Sequence, residues 1–175
     1  WHTLDVRFKL TNGLTRFTVL QYSLYAVVAL VVIAVTSHFY RTVEIGLACW
    51  AGTGDLEMHT TTTRKDYSPV FATAMILPLV YYCLDFLRSV GTLLYALQCR
   101  RVIPGWFTVA TGPPLELLLV VSIIYMIVVR YTYEGRLCSG ELPEFLFEAS
   151  LQARGAWITE MIIFMSLYSV VAQWT

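Results

Sequence analysis

Four long apolar stretches, separated by polar segments, dominate the pattern of this chain. They cover residues 17–39, 69–97, 113–133 and 157–174. A helix needs about 20 mostly apolar residues to cross the hydrocarbon core of a bilayer. These stretches lack the apolar–polar alternation of barrel strands, and a helix satisfies its own backbone hydrogen bonds in lipid. The pattern predicts an all-α fold, an integral membrane bundle of four transmembrane helices that forms one domain over residues 1–175.

The polar segments before and between the first spans predict less regular structure. Apolar side chains at helical spacing in residues 1–10 favour either a short interfacial helix that ends near Asn12-Gly13 or an ordinary juxtamembrane stub. Glycines and a threonine run predict irregular structure in the loop at 41–68. We expect the segment TGPP at 111–114 to start a helix, because its prolines lack the donors that a phosphate-binding loop needs.

The second outer loop, residues 134–156, favours an ordered element. Pro143 suits the first turn of a helix, and Phe145, Leu146 and Ala149 share one helical face. We therefore predict a short amphipathic helix at about 143–153, which lies on the membrane or caps the bundle.

Composition supports a membrane protein. Charged residues make up 14% of the chain and hydrophobic residues 57%, whereas soluble domains carry about 25% charged residues. The chain therefore lacks the polar side chains to cover a soluble globule, and the lipid bilayer is its first expected partner. Its formal net charge is zero, which argues against a nucleic-acid partner.

Basic residues predict the orientation of the chain. Arg7, Lys9 and Arg16 precede the first span, and Arg100 and Arg101 lie between the second and third spans. Positively charged segments tend to stay on the cytoplasmic side of a membrane. We therefore predict that both termini lie on the cytoplasmic or an equivalent side, and that the other two loops, which carry mixed charge, lie outside.

Five ionisable residues fall within the predicted spans, at Asp85, Arg88, Glu116, Arg130 and Glu160. Such residues are costly in lipid and indicate pairing or function. In antiparallel helices, residues equally far from the connecting loop lie at similar depth, which makes Arg88–Glu116 and Arg130–Glu160 candidate ion pairs. The alternative for Arg130 and Glu160 is that their side chains reach to the lipid headgroups. Asp85 is one helical turn from Arg88 and could join the first pair. These charges would fix the register of the helices, form a proton or ion path, or contact a partner protein.

The four cysteines separate by predicted topology. Cys49 and Cys138 fall in the two outer loops, so they are candidates for a disulfide, with two unpaired thiols as the alternative. Cys99 lies beside Arg100 and Arg101 at a membrane edge, which makes it a candidate for S-palmitoylation. Cys83 falls inside the second span.

Motifs for catalysis and metal binding are missing from the sequence. It contains no GxSxG, Walker A, HExxH, GxGxxG or CxxC pattern, and its three histidines are scattered. We therefore expect no enzyme, no cofactor and no metal site. An intramembrane enzyme, as the remaining alternative, would need a substrate or cofactor near Asp85 and Glu116.

Two segments carry a resemblance to a known family. These are YYCLDF at Tyr81–Phe86 in the second span and ARGAWITEMIIF at Ala153–Phe164, which leads into the fourth. With the four-span layout, they make the chain similar to MARVEL-type four-helix proteins such as the synaptogyrin family. The resemblance implies that both termini lie inside and that the protein acts in membrane organisation or trafficking without catalysis.

The sequence supports two leading hypotheses of function. The first is a non-catalytic multi-pass protein that assembles with other membrane proteins, as a scaffold or trafficking protein or as an accessory subunit of a larger complex. The alternative is a small transporter or channel-forming subunit that uses the polar residues of spans two and three.

Overall fold

The computed structural model describes residues 2–41, 50–52, 64–99, 105–141 and 149–174. Five helices and one small antiparallel sheet make up these ranges. In chain order, the elements are α1 (His2–Phe39), β1 (Trp50–Gly52), β2 (Arg64–Asp66), α2 (Ser68–Cys99), α3 (Gly105–Tyr131), α4 (Tyr133–Cys138) and α5 (Ala149–Trp174).

Three of these helices are long and apolar enough to cross a membrane. The stretches that meet this requirement are Arg16–Phe39 in α1, Ser68–Tyr95 in α2 and Ala110–Tyr131 in α3. The protein is therefore a helical membrane protein, as its apolar pattern predicts. The fourth predicted span lies within α5, a helix of 26 residues that is not among these three.

Two predicted helix boundaries are wrong. α1 continues through Asn12-Gly13, and α3 begins at Gly105 rather than at Pro113. A glycine inside a helix costs only about 1 kcal/mol, which a helix of 38 residues tolerates. The prolines at 113 and 114 each remove one hydrogen bond to a carbonyl four residues earlier, and the turns on either side of them keep theirs.

The first outer loop is more regular than its composition predicts. β1 pairs with β2 in the register Trp50↔Asp66, Ala51↔Lys65 and Gly52↔Arg64. Pairing between strands joins residues that are distant in sequence, so glycine and threonine content did not predict it. The small sheet is an addition to the predicted all-α fold.

The predicted loop helix at 143–153 falls largely outside the described residues. Its residues 149–153 belong to α5, and residues 142–148 are not described. The short helix that the structure places in this loop is α4, which lies earlier in the sequence and ends at Cys138.

The chain divides into two compact units. The first unit comprises Trp1–Val35 and Leu79–Leu117. Its buried side chains lie mainly on one face of α2, at Tyr81, Tyr82, Asp85, Ser89 and Thr92. Tyr82, Asp85, Ser89 and Thr92 are spaced by three or four residues, as on one helical face, and Tyr81 lies four residues before Asp85.

The second unit comprises Thr36–Pro78 and Leu118–Thr175. Its core is formed by large apolar side chains, of which the fully buried ones are Phe71, Met75, Met126, Ile158 and Met165. Phe39 and Trp157 stack with their ring centroids 5.2 Å apart. This unit also contains the charged cluster described next.

Candidate functional site

A buried arginine organises the end of α3 in the second unit. The Nε atom of Arg130 donates to the carbonyl oxygen of Gly155 at 3.2 Å and to the hydroxyl of Thr159 at 3.1 Å, both on α5. Its Nη2 atom contacts Oε1 of Glu141 at 2.5 Å. The side chain of Arg130 is 10% exposed. This guanidinium therefore joins α3, α5 and the segment that follows α4.

Glu141 connects Arg130 to a second arginine. Its other carboxylate oxygen accepts a hydrogen bond from Nε of Arg136 at 3.2 Å. The hydrogen bond from Arg130 lowers the pKa of Glu141 below its ordinary value, and Arg136 adds to this effect while partial burial opposes it. Glu141 therefore carries its negative charge at neutral pH. We call Arg130, Glu141 and Arg136 the arginine clamp.

Local sequence explains how Glu141 returns to Arg130. Thr132 caps the N-terminus of α4, since its side chain accepts a hydrogen bond from the backbone N–H of Gly135 at 3.3 Å. The chain then reverses at Gly140, whose φ of 67° favours glycine. The backbone N–H of Glu141 donates to the carbonyl oxygen of Arg136 at 3.1 Å. One short helix and one turn thus place the carboxylate between the two arginines.

Gly135 permits the tight entry into α4. A Cβ atom at this position would lie 1.7 Å from the carbonyl oxygen of Val129 and 2.8 Å from its carbonyl carbon. Because the overlapping atoms of Val129 belong to the backbone, rotation of a side chain cannot relieve the overlap. Any other residue at 135 would therefore displace α4 from the end of α3.

Gly155 permits close contact between α5 and the segment after α4. A Cβ atom at Gly155 would lie 2.7 Å from the Cβ of Ser139. The buried hydroxyl of Ser139 donates to the carbonyl oxygen of Gly135 at 2.7 Å. The two glycines therefore lie on either side of Ser139 and allow the arginine clamp to close.

Arg154 is a second buried arginine of this unit. It is fully buried, and its guanidinium carbon lies 5.0 Å from the centre of the Phe71 ring. This distance is that of a cation–π contact between α5 and α2. Arg154 falls in the predicted second outer loop at 134–156, whereas the structure makes it part of the core.

The segment before α2 also contacts α4. The hydroxyl of Tyr67 donates a hydrogen bond to the carboxylate of Glu134, and the pKa of Tyr67 is raised by desolvation and by this carboxylate. α4 in turn contacts β1. The end of the second unit is thus formed by α4, the small sheet and the arginine clamp.

Polar side chains line α2 in the first unit. Asp85, Ser89 and Thr92 are all buried, and their spacing places them on one face of the helix. Tyr81, one turn before Asp85, lies within electrostatic range of Asp85, Arg88, Glu116 and Tyr25. We call Asp85, Ser89 and Thr92 the polar stripe.

The five predicted intramembrane charges divide between the two units. Arg88 and Glu116 lie in the first unit, but in the described part of the chain no ion pair of 4.0 Å or less joins them. The Nη2 atom of Arg88 instead lies 3.9 Å from the position of a Cβ at Gly112. Gly112 is one turn before Glu116 on α3. Arg88 therefore approaches α3 at the level of Gly112 and not at that of Glu116.

The predicted partner of Arg130 is wrong. The structure pairs Arg130 with Glu141 rather than with Glu160. Residues Gly155 and Thr159 form the face of α5 that contacts Arg130, and Glu160, one residue further, is exposed. Because consecutive residues of a helix point about 100° apart, similar depth did not bring these two charges together.

The cysteines differ in state. Cys138 is buried and disulfide-bonded, and Cys83 is a free thiol. The predicted partner Cys49 lies outside the described residues. α2 ends at Cys99, whose side chain is not described, so its palmitoylation stays a prediction.

Sequence reasoning missed most of the arginine clamp. Glu141 and Arg136 belong to the predicted second outer loop, whose mixed charge predicts no ion pair, and no motif singles out Gly135 or Gly155. The signal that points to them is the segment TYEGRLCSGE at 132–141, in which a capping threonine and a terminal glycine bracket a short helix. Within the described ranges, no group of three histidine, cysteine or acidic side chains could hold a metal ion.

Comparison with protein-family models, with curated proteins and with solved structures found no match for this chain.

Proposed function

We propose that this chain is a non-catalytic membrane protein that crosses the bilayer four times and assembles with other membrane proteins. Its role would be that of a scaffold or trafficking protein, as the MARVEL-type resemblance implies, or that of an accessory subunit. The arginine clamp carries this proposal. The clamp uses the charges of Arg130, Glu141 and Arg136 to connect elements of the protein itself, so these side chains serve architecture rather than a bound substrate.

The fourth crossing is supported by the length and the surface of α5. Its 26 residues extend about 39 Å at 1.5 Å per residue, which exceeds the hydrocarbon thickness of about 30 Å. The large exposed side chains of its second half are apolar, namely Ile163, Phe164, Leu167, Val170 and Val171. An apolar exposed face suits lipid or the helix of another membrane protein.

The proposed orientation places both termini on the cytoplasmic side. It rests on Arg7, Lys9 and Arg16 in the first part of α1, before its membrane-spanning stretch, and on Arg100 and Arg101 between α2 and α3. With four crossings, β1, β2, α4 and the arginine clamp all belong to the outer side.

Site-specific photo-cross-linking tests the assembly. A photoreactive amino acid replaces Leu24 on α1 or Leu167 on α5, both more than half exposed, and the protein is irradiated in its native membrane. We expect cross-links to other membrane proteins from at least one of these positions. Thr73, exposed near the start of α2, provides a third position for comparison, and samples without irradiation provide the background.

The outcome that contradicts the proposal is a particle without protein partners. If both positions cross-link only lipid, and the protein extracted in polymer-bounded membrane discs has the mass of one chain, it does not assemble.

A second candidate function is a small transporter or channel-forming subunit. The polar stripe favours it, because three buried polar side chains on one face of a membrane helix resemble the lining of a polar path. Flux measured in proteoliposomes, with wild type compared with Asp85→Asn and Glu116→Gln, tests this candidate. Ser166→Ala serves as the control, because the Ser166 hydroxyl bonds to the carbonyl of Ile162 on its own helix at 2.7 Å. If neither inorganic ions nor protons cross the proteoliposome membrane, the transporter or channel function is contradicted.

A further inference from the structure

Cys138 lies at the junction of α4 and the first outer loop. It is fully buried and disulfide-bonded, and it is the last residue of α4. α4 contacts β1, which begins at Trp50. Cys49 is the residue directly before Trp50 in the sequence. The residue that follows Cys49 in the sequence therefore belongs to a strand that contacts α4.

The other cysteines are poorer partners. Cys83 is a free thiol. Cys99 precedes α3 whereas Cys138 follows it, and the 27 residues of α3 extend about 40 Å. A disulfide requires Cα atoms about 4.4–6.8 Å apart. The six residue steps from Cys99 to Gly105 extend at most about 21 Å, so Cys99 would reach Cys138 only if the chain on both sides of α3 ran back along that helix almost fully extended.

We propose that Cys138 is bonded to Cys49, and that this bond fixes the first outer loop to the arginine clamp on a side of the membrane that permits disulfides. The bond forms by thiol–disulfide exchange with the disulfide of an oxidoreductase. Each cysteine gives up its thiol hydrogen, one S–S bond forms, and the oxidoreductase is left with two thiols. Such bonds persist in the secretory lumen and outside cells and are rare in the cytosol.

The compartment assigned to this bond rests on the proposed orientation of the chain. Loops that carry Cys49 and Cys138 lie on the outer side in the proposed topology. The choice of Cys49 as the partner of Cys138, however, follows from the contact of α4 with β1 and not from the orientation. Its chemistry can therefore be tested independently of the number of crossings.

Trypsin separates the four cysteines. Cleavage after arginine and lysine places Cys49 in peptide 42–64 and Cys138 in peptide 137–154, with Cys83 and Cys99 in two further peptides. Protein alkylated in its native membrane and digested without reductant should give the cross-linked pair 42–64 with 137–154. A pair that links Cys99 to Cys138, or an alkylated Cys138, overturns the proposal.

Counting free thiols gives a second measurement. With one disulfide among the four cysteines, the denatured, unreduced wild type should take up two alkyl groups once hydroxylamine has removed any thioester from Cys99. Cys49→Ser and Cys138→Ser should each take up three, whereas the control Cys83→Ser should take up one. If Cys49→Ser takes up one and Cys99→Ser takes up three, Cys99 is the partner instead.

A membrane-impermeant phosphine reductant tests the compartment. In intact cells, opening of the bond before permeabilisation would identify the cell exterior. Opening only after the internal membranes are permeabilised, and not when the plasma membrane alone is permeabilised, would identify a lumen. A Cys49–Cys138 bond that opens only to a reductant admitted to the cytosol would sink the orientation and leave the bond itself intact.

Discussion

The two units of this protein treat buried polar groups in different ways. In the second unit, Arg130 and Glu141 contact each other, and a backbone carbonyl and a side-chain hydroxyl of α5 accept hydrogen bonds from Nε of Arg130. In the first unit, the polar stripe is confined to one face of α2. A charge with partners on several elements fixes how those elements pack. A row of polar groups on one helix fixes the packing of fewer elements. Such a row is compatible with a transport path or with contact to a partner protein.

This comparison predicts that the second unit is the less tolerant of substitution. Breaking a buried contact of a charged group typically costs 1–3 kcal/mol or more, because the remaining partner stays buried without its hydrogen bond. Small hydroxyl groups have an alternative in a membrane helix, since they can bond to the carbonyl of the preceding turn. Ser122 on α3 in the second unit forms such a bond, with its hydroxyl 2.6 Å from the carbonyl oxygen of Leu118.

The largest effect is expected at Gly135. In Gly135→Ala, the new Cβ would overlap the carbonyl oxygen of Val129, and displacement of α4 should lower the free energy of unfolding by about 3 kcal/mol or more. The matched control is Gly91→Ala in α2 of the first unit, where a Cβ meets nothing within 4 Å. Alanine should there add up to about 1 kcal/mol of stability.

Thermal unfolding in detergent measures this difference between the two glycines. We expect the Tm of Gly135→Ala to fall well below that of wild type, and the Tm of Gly91→Ala to stay level or rise. Equal Tm values for the two variants would show that the entry to α4 is not tightly packed.

A smaller loss is expected when the arginine clamp is opened. Glu141→Gln removes the carboxylate that contacts Arg130 and Arg136 and should cost about 1–3 kcal/mol, because a buried arginine loses its charged partner. Glu160→Gln is the control, since Glu160 is exposed, and should change stability by less than about 0.5 kcal/mol.

Chemical denaturation of the two glutamine variants separates the observed partner from the sequence-based one. A larger loss in Glu160→Gln than in Glu141→Gln would restore the pair that depth alone predicts. The double variant Arg130→Met with Glu141→Gln should lose less than the sum of the single variants, because both changes remove one contact.

The contact between Gly155 and Ser139 should give an effect of similar or smaller size. Gly155→Ala places a Cβ 2.7 Å from the Cβ of Ser139 and should cost about 1–3 kcal/mol through overpacking. Adding Ser139→Gly removes the opposing atom, and this double variant should regain part of the Tm lost by Gly155→Ala. Failure of Ser139→Gly to improve Gly155→Ala would mean that the strain lies elsewhere.

The smallest effect is expected from pH. The pKa of Glu141 is lowered in the folded protein from an ordinary value of 4.5, so the folded state binds the proton less readily than the unfolded state. Its stabilisation is complete above pH 4.5 and is lost as the pH falls through the lowered pKa. Since the side chain is 38% exposed, solvent keeps the effect small.

The Tm difference between wild type and Glu141→Gln isolates this contribution from that of other carboxylates. It should be constant from neutral pH to about pH 5 and shrink below 4.5. A difference that grows on acidification would contradict the assigned direction.

The sequence predicted the long helices well and their ends poorly. Hydropathy identified α1, α2 and α3 because each apolar stretch exceeds the thickness of a bilayer on its own. Asn12-Gly13 and the prolines at 113 and 114 misled the prediction of helix ends, since continuous helices on either side tolerate them. The small sheet was missed because its pairing joins Trp50 to Asp66 across the loop.

The candidate site was less predictable than the fold. The sequence identified Arg130 as an unusual intramembrane charge, and this residue proved to be the centre of the arginine clamp. Equal depth then suggested Glu160 as its partner. Depth is one coordinate, and an ion pair also depends on the rotation of each helix about its axis and on the course of the loop.

The sequence by itself determined that this is a helical membrane protein, because the requirement for long apolar helices is local and adds up along the chain. Only the tertiary structure decided which charges meet. The return of Glu141 to Arg130 depends on one capped helix, a turn at Gly140 and two close approaches at glycines. These contacts involve angles and distances between elements, which no single stretch of the sequence encodes.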